Sequence, residues 1–273
     1  LTQHIRPAAE FRVTDKLTAL IEVEAILSLI DDFDDGSGNK PTRPIIADPD
    51  GLELNRLQLQ YTLAPKTFVT LGRQKIAIDD QRFIGPGAFR QNDQSYDGIH
   101  ISTQFLSSTT VQAGYFNKVN RVLGSDNPVG EFEGDSFYLN ANTSTPIGHV
   151  GVFHYALDLG LDRPAMQDST FSSQTSGIRI DGRYHRDPYG LDWEASFAQQ
   201  ADFANSPFDY EATYWLAGLQ AFAGPASLKI RFEAFGADNE QSFQTPLGTL
   251  HKFQGAADVF VVTPPDGLQD LQV

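Results

Sequence analysis

Along most of this chain apolar and polar residues alternate with a period of two, the repeat of a β-strand whose two faces meet different surroundings. In Leu17–Ile30, the residues Ala19, Ile21, Val23, Ala25, Leu27 and Leu29 alternate with Thr18, Glu22, Glu24 and Ser28. In 52–63, Leu57, Leu59, Tyr61 and Leu63 alternate with Arg56, Gln58, Gln60 and Thr62. In 177–185, Ile178, Ile180 and Tyr184 alternate with Arg179, Asp181, Arg183 and His185. In 191–198, Leu191, Trp193, Ala195 and Phe197 stand against Asp192, Glu194 and Ser196. In 227–235, Leu228, Ile230, Phe232 and Ala234 stand against Lys229, Arg231 and Glu233. In each segment the named apolar positions form a face without a charge.

Weaker alternation predicts further strands near 4–13, 67–78, 96–105, 110–119, 135–142, 149–159, 209–222, 255–262 and 267–273. In 67–78 the parity set by Arg73 and Lys75 leaves Gln74 on the apolar side, which a β-bulge would correct. A short helix over Glu194–Ala204, where Ala and Gln are common, is the alternative to a strand there. Connections alternate in length. Short ones such as Ala64-Pro65-Lys66, Ser107-Ser108 and 223–226 carry Pro, Gly and Ser, the residues of tight hairpins. Long ones lie near 31–50, 79–95, 120–134, 160–176, 201–208 and 237–254. The unit is strand, tight turn, strand, long loop, which gives roughly 14 strands. With no linker or composition shift, residues 1–273 read as a single domain.

Alternation alone fits either a membrane barrel or a soluble β-sandwich. Three features favour an antiparallel up-and-down transmembrane β-barrel. Short connections on one rim and long ones on the other are the barrel's habit. An uncharged face suits lipid, where one Arg or Lys at the midplane costs ~2–4 kcal/mol. Aromatics near strand ends (Phe11, Tyr61, Phe68, Phe105, Tyr155, Tyr184 and Tyr210) suit interfacial girdles. Each would also serve as a core residue of a sandwich. In the barrel the polar face lines a lumen too wide for side chains to fill, so its charges sit in water and act on a solute.

Composition narrows the partners. The 273 residues carry 20 Lys and Arg against 35 Asp and Glu, a net charge of −15, which argues against nucleic acid. The 20 Phe, 9 Tyr and 2 Trp argue against disorder. The longest apolar stretch, Tyr214 to Leu219, is far short of the ~18–20 residues of a spanning helix. The absence of Cys removes disulfides and thiolate chemistry.

Candidate chemistry is sparse. Asp192 with Glu194, and Glu22 with Glu24, are carboxylate pairs of the kind glycosidases use, but neighbouring Arg residues would neutralise them. His4, His100, His149, His154, His185 and His251 form no metal-binding motif, and neither a metal site nor a cofactor is expected. Asp31-Asp32-Phe33-Asp34-Asp35-Gly36 departs from the EF-hand pattern at Phe33 and Thr42 and reads as a solvated acidic loop, able at most to recruit divalent cations loosely.

Leu71-Gly72-Arg73-Gln74, then Asp79-Asp80-Gln81-Arg82-Phe83-Ile84-Gly85, then Phe89-Arg90-Gln91-Asn92-Asp93-Gln94-Ser95-Tyr96-Asp97-Gly98 resemble the alginate-export family of bacterial outer-membrane porins. Thr249-Leu250-His251-Lys252-Phe253, Ala257-Asp258-Val259-Phe260, Thr263-Pro264-Pro265 and Gly267-Leu268-Gln269-Asp270 are similar to its later part. The likeness runs over residues 50 to 273. It implies a barrel of about eighteen strands in the outer membrane, in contact with lipid and lipopolysaccharide, that passes an anionic polysaccharide or small anionic solutes. About four strands would then lie outside this sequence, which reads as a fragment. The resemblance also turns the connection 79–95 inward. Arg82 and Arg90, with Arg73 and Lys75, would form a positive constriction, and guanidinium forks suit carboxylates. Alternatively Arg82 and Arg90 pair with Asp79, Asp80, Asp93 or Asp97 and pin the loop. Further along the wall, Arg179, Arg183, Lys229 and Arg231 would line the lumen beside Glu22, Glu24, Asp181, Glu194 and Glu233. The sequence leaves the oligomeric state open. The competing reading is a soluble secreted β-sandwich that binds or cleaves polysaccharide.

Overall fold

Strand pairing follows chain order. In the computed structural model, which describes all residues except 1, 31, 36–39, 41, 47, 162–170 and 255–258, one antiparallel sheet of 14 strands dominates. Its members are β1 (Thr2–Ile5), β2 (Ala8–Arg12), β3 (Leu17–Ser28), β4 (Gly51–Ala64), β5 (Thr67–Gln74), β6 (Ser95–Phe105) and β7 (Thr109–Asn120). They continue with β8 (Glu131–Thr145), β9 (Gly148–Leu157), β10 (Ser173–Arg186), β11 (Tyr189–Asp202), β12 (Glu211–Ala223) and β13 (Ala226–Phe235). A separate hairpin, β14 (Ala237–Asp238) with β15 (Gln241–Ser242), and a helical turn, α1 (His251–Gln254), precede the last member, β16 (Leu268–Gln272). Both β1 and β2 pair with β3, interrupted at Arg6-Pro7, and β16 pairs with β13. The uninterrupted up-and-down order is the barrel alternative, and a two-layer sandwich is not formed.

The five strongly alternating segments are all strands, and the stretch 194–204 continues as β11 to Asp202 rather than forming a helix. The expectation at 255–262 fails in its described part: Val259–Val262 is turn and bend. In 67–78 the strand stops at Gln74, and Gly72 takes φ 110°. The acidic stretch 31–36 lies partly outside the described residues. Asp34 within it is buried and accepts a hydrogen bond from the Lys40 amide at 2.7 Å, so it is not simply solvated.

The pleat separates two faces. On the outer face Leu71, Val152 and Ile178 are 56%, 52% and 45% exposed, as are many other large apolar side chains along the strands. Such a surface would be an aggregation hazard in water and is ordinary against lipid. Two aromatic pairs stand on this face toward the long-loop end: Tyr115 with Phe137, ring centres 5.1 Å apart, and Phe197 with Trp215, 4.4 Å apart. Just beyond them the same face turns polar, with Arg73 on Asp97 at 2.7 Å, Lys118 on Glu131 at 2.6 Å and His154 on Ser176 at 2.8 Å. Toward the short turns it carries Tyr61, Phe105 and Tyr184. Along β10 the span from Ser176 to Tyr184 is about 26 Å at ~3.3 Å per residue, close to the ~25 Å apolar band of outer-membrane barrels.

The inner face differs from expectation. It is not uniformly polar: Tyr96, Phe116, Tyr138, Phe153, Tyr155, Tyr214 and Phe235 point inward and are buried. They pack on Ile78, Phe83 and Ile84 from the connection 75–94, and on Phe243 and Leu247 from the connection after β13. Phe83 meets Phe153 at 5.0 Å, Tyr214 at 5.4 Å and Phe243 at 6.0 Å, contacts only a curled sheet can bring together. The two connections join edge to edge, Ile84 bridging Leu247 with the Gly85 amide on the Leu247 carbonyl at 2.8 Å. Lumen that the sequence assigned wholly to water is, at the long-loop end, a hydrophobic core.

Candidate functional site: the lumen and its infolded loops

The connection 75–94 is held across the lumen by strands far apart in sequence. Asp79 accepts hydrogen bonds from Asn140 at 2.8 Å and Asn142 at 2.7 Å, two inward positions of β8. Asp80 accepts from Arg179 of β10 at 3.0 Å. Arg82, only 2% exposed, donates from Nε to Glu233 of β13 at 2.8 Å and from Nη1 to Thr245 at 3.2 Å. Its guanidinium carbon lies 4.6 Å from the Phe235 ring centre and 4.8 Å from that of Phe253. At the other end Gln94 donates to the Gly85 carbonyl at 2.9 Å and to the Tyr96 hydroxyl at 2.7 Å.

Two further networks surround these anchors. On one wall, Glu24 takes Arg6 at 3.0 Å, His4 at 3.1 Å and Asn55 at 2.8 Å. Glu22 beside it takes Asn55, Arg56 and Lys75, and Asp93 of the infolded loop takes Arg6 and Lys75. On the other wall Glu233 accepts from Arg231 at 3.0 Å and from the Tyr214 hydroxyl at 2.6 Å, while Arg231 also reaches Glu194 at 3.2 Å. Gly218 makes that last contact possible: a Cβ there would sit 2.7 Å from the Glu194 side chain, which crosses over it. Just past the end of β7, Arg121 opens the connection 121–130 and donates to the Val129 carbonyl at 2.6 Å, stacked 4.3 Å over the buried Phe132. Burial pushes its guanidinium pKa down to about 10.

The structure thus redistributes the expected site. Arg82 is a pin and its guanidinium partner is Glu233, not an aspartate of its own loop. Asp79, Asp80 and Asp93 anchor the loop, but through Asn140, Asn142, Arg179, Arg6 and Lys75. Arg73 and Asp97 leave the site: they share the outward parity of exposed Leu71 and pair with each other at the outer boundary. The positive φ at Gly72 does not switch that parity, because the ladder on both sides of β5 keeps its register there. Arg90 is half-buried, 5.5 Å from the Phe89 ring, which stacks on His251. Arg179, Arg231, Glu22, Glu24, Asp181, Glu194 and Glu233 face inward and are all paired. Arg183 and Lys229 face a cavity of about 530 Å³ at the short-turn end and have no partner among the described residues. Asn140, Asn142, Arg6 and Asn55 were not anticipated. Of these, Asn140 and Asn142 carried a signal, two polar residues at i, i+2 in a strand whose other face holds Phe137 and Leu139.

A curled antiparallel sheet, apolar outside, with two long connections folded into its lumen, is the fold of bacterial outer-membrane β-barrel porins. The chain is similar to the solved structure of OccAB3 from Acinetobacter baumannii, with a TM-score of 0.66 and 11% identity over 89% of this chain and 60% of that one. It is similar to OpdK from Pseudomonas aeruginosa, solved with vanillate, with a TM-score of 0.60 and 14% identity over 87% and 62%. It is also similar to OccK2 (OpdF) from Pseudomonas aeruginosa, solved in complex with glucuronate, with a TM-score of 0.58 and 12% identity over 87% and 59%. The chain spans between 52% and 65% of the length of these and the related porin structures. No family model and no curated protein matches it.

Proposed function

We propose that the protein forms a passive channel in the bacterial outer membrane for small solutes, organic anions among them. One observation carries this reading: two inward connections, locked to the wall through Asp79, Asp80, Arg82 and Asp93, fill the long-loop end of a barrel whose outer face suits lipid. A lumen so filled favours molecules of one or two rings over a wide flux of bulk solute. That OpdK and OccK2 were solved with vanillate and glucuronate supports small carboxylates as the class. The resemblance to alginate exporters would extend the range to a single extended anionic polysaccharide, and the apolar plug of Phe83, Phe243 and Leu247 speaks for the smaller solutes. The polar belt at the outer boundary, with Arg73, Asp97 and Lys118, would lie at lipopolysaccharide headgroup depth.

Liposome swelling tests the proposal. Vesicles holding the protein should swell in glucuronate and in a neutral monosaccharide but resist an oligosaccharide of four or more rings. Vesicles that stay impermeable to all three, or that admit the oligosaccharide as fast as the monosaccharide, would overturn it.

A further inference from the structure

The connection after β13 is fixed to the wall by a different device from the charges that pin the connection 75–94. Gln200 is an inward position of β11, only 2% exposed, set opposite Thr175 of β10 and the small Ala212 of β12. Its side-chain amide pairs with the backbone of Gln244 in both directions. Nε2 donates to the Gln244 carbonyl at 2.9 Å, and Oε1 accepts from the Gln244 amide at 2.8 Å. Nε2 also donates to Thr175 at 2.9 Å, and Oε1 also accepts from the Tyr210 hydroxyl at 3.1 Å, so both N–H groups and both lone pairs are used. A backbone carbonyl only accepts and a backbone amide only donates, which fixes the end of the side chain that carries nitrogen. Gln244 repeats the device one step further. Its own side-chain amide donates to the Thr263 carbonyl at 2.9 Å and accepts from the Thr263 amide at 3.1 Å.

The segment held in this way is sewn to the first connection. Besides the Gly85 contact with Leu247, the Thr249 amide donates to the Gln81 carbonyl at 2.9 Å, Lys252 Nζ to the Asp80 carbonyl at 2.9 Å, and Gln94 Nε2 to the Leu247 carbonyl at 3.1 Å. Gly248 lets the two backbones close on each other: a Cβ there would stand 2.5 Å from the Arg82 carbonyl oxygen. The first connection hangs from β8, β10 and β13, the second from β11. Backbone groups in a buried seam need their partners, so a displacement of one connection strands donors and acceptors of the other unless both move together.

We propose that Gln200 is a specificity-determining positioning residue of the channel: through the paired amides it holds the second connection, and through the seam both connections, at the spacing from the wall that sets the largest solute admitted. The inference rests on the channel reading above and makes the two connections one constriction rather than two. Gln200 acts through Gln244 and not by touching the solute. Only an amide can serve: Glu at this position would set a carboxylate oxygen against the Gln244 carbonyl, and Met would fill the volume with neither donor nor acceptor.

Liposome swelling and planar-bilayer recordings of the protein as purified test it. In Gln200→Met the swelling rate in an oligosaccharide of four or more rings should rise severalfold relative to that in a monosaccharide. Single-channel noise should rise with it, while unboiled protein keeps its folded gel mobility. Gly248→Ala, which parts the seam without touching the wall, should relax size discrimination in the same direction. In Gln200→Met with Arg82→Met the rise in oligosaccharide swelling should fall short of the product of the single effects, because either change releases the same body. Parent-like size discrimination in folded Gln200→Met or in Gly248→Ala overturns the inference, and so do fully multiplicative effects in the double variant; each leaves the channel standing. A parent protein that admits no solute overturns the channel reading instead.

Discussion

Replacing Arg82 with Met isolates the pin that ties the infolded loop to the far wall. Met keeps much of the side-chain volume and its contact with Phe235 and Phe253 but removes the guanidinium. Lost with it are the 2.8 Å bond to Glu233 and the 3.2 Å bond to Thr245. Removing one partner of a buried ion pair typically costs ~3–5 kcal/mol, because the remaining charge is stranded. Here Glu233 keeps Arg231 and Tyr214, so the lower end applies, about 3 kcal/mol. The barrel ladder is untouched, so the cost falls on docking of the loop. At ~1.4 kcal/mol per decade, the docked-to-undocked ratio should fall roughly a hundredfold. In planar bilayers Arg82→Met should therefore show larger and noisier single-channel currents, while the temperature at which unboiled protein loses its folded gel mobility changes little. Adding Glu233→Gln to Arg82→Met should cost little further docking, since the pin is already gone, and a double-mutant cycle then reads the Arg82–Glu233 coupling. If Arg82→Met conducts as the parent does, with the same noise, the loop is held by its apolar contacts and the ion pair is not its pin.

Other outcomes follow from the two faces. Ile178→Arg places a charge in the outward apolar band and should cost ~2–4 kcal/mol in urea unfolding from vesicles, whereas Arg183→Gln, inward, should cost under about 1 kcal/mol. Equal costs would contradict the assignment of faces. Gly98→Ala drives a Cβ to 2.1 Å from the Tyr115 carbonyl oxygen, so two strands must separate, and a loss of ~1–3 kcal/mol is expected in the same assay. Asn140→Leu with Asn142→Leu strips Asp79 of both amide donors and should raise conductance in the direction of Arg82→Met.

Much of the wall was legible because period two is enforced wherever lipid covers one side. A one-residue error in 177–185 or 227–235 would put Arg179 or Arg231 into hydrocarbon, so those strands announced themselves. The lumen was less legible for a complementary reason. Inward positions of β9 and β12 pack against protein rather than water, so Phe153, Tyr155 and Tyr214 lie on the face that holds charges elsewhere and alternation weakens. Nothing local in Phe83 or Phe243 reveals that they meet from loops 160 residues apart in sequence. Arg73 was misplaced because an Arg two residues from Lys75 looks like the same face, yet β5 ends at Gln74 and Lys75 already belongs to the inward turn. Arg82 illustrates the limit: its loop and charge were visible, but Glu233, 151 positions away, was not a partner that spacing could name.

On the proposed channel reading, the pinned loops would also decide where a solute can feel charge. A loop folded into a barrel brings backbone and apolar bulk to a wall that was polar, and each wall charge it covers needs a partner on the loop or beside it. Arg179, Arg231 and Arg6 are spent in this way on Asp80, Glu233 and Asp93. A paired cation presents a dipole to a passing anion, and its pull fades faster with distance than that of a free charge. If the protein conducts anions as proposed, the attraction in the lower lumen would fall to Arg183 and Lys229, and its net strength to whichever carboxylates around them remain unneutralised. On the proposed channel reading, narrowing and electrostatic selection would be separate tasks, the first set at the long-loop end by packing and ion pairs, the second toward the short turns by Arg183 and Lys229.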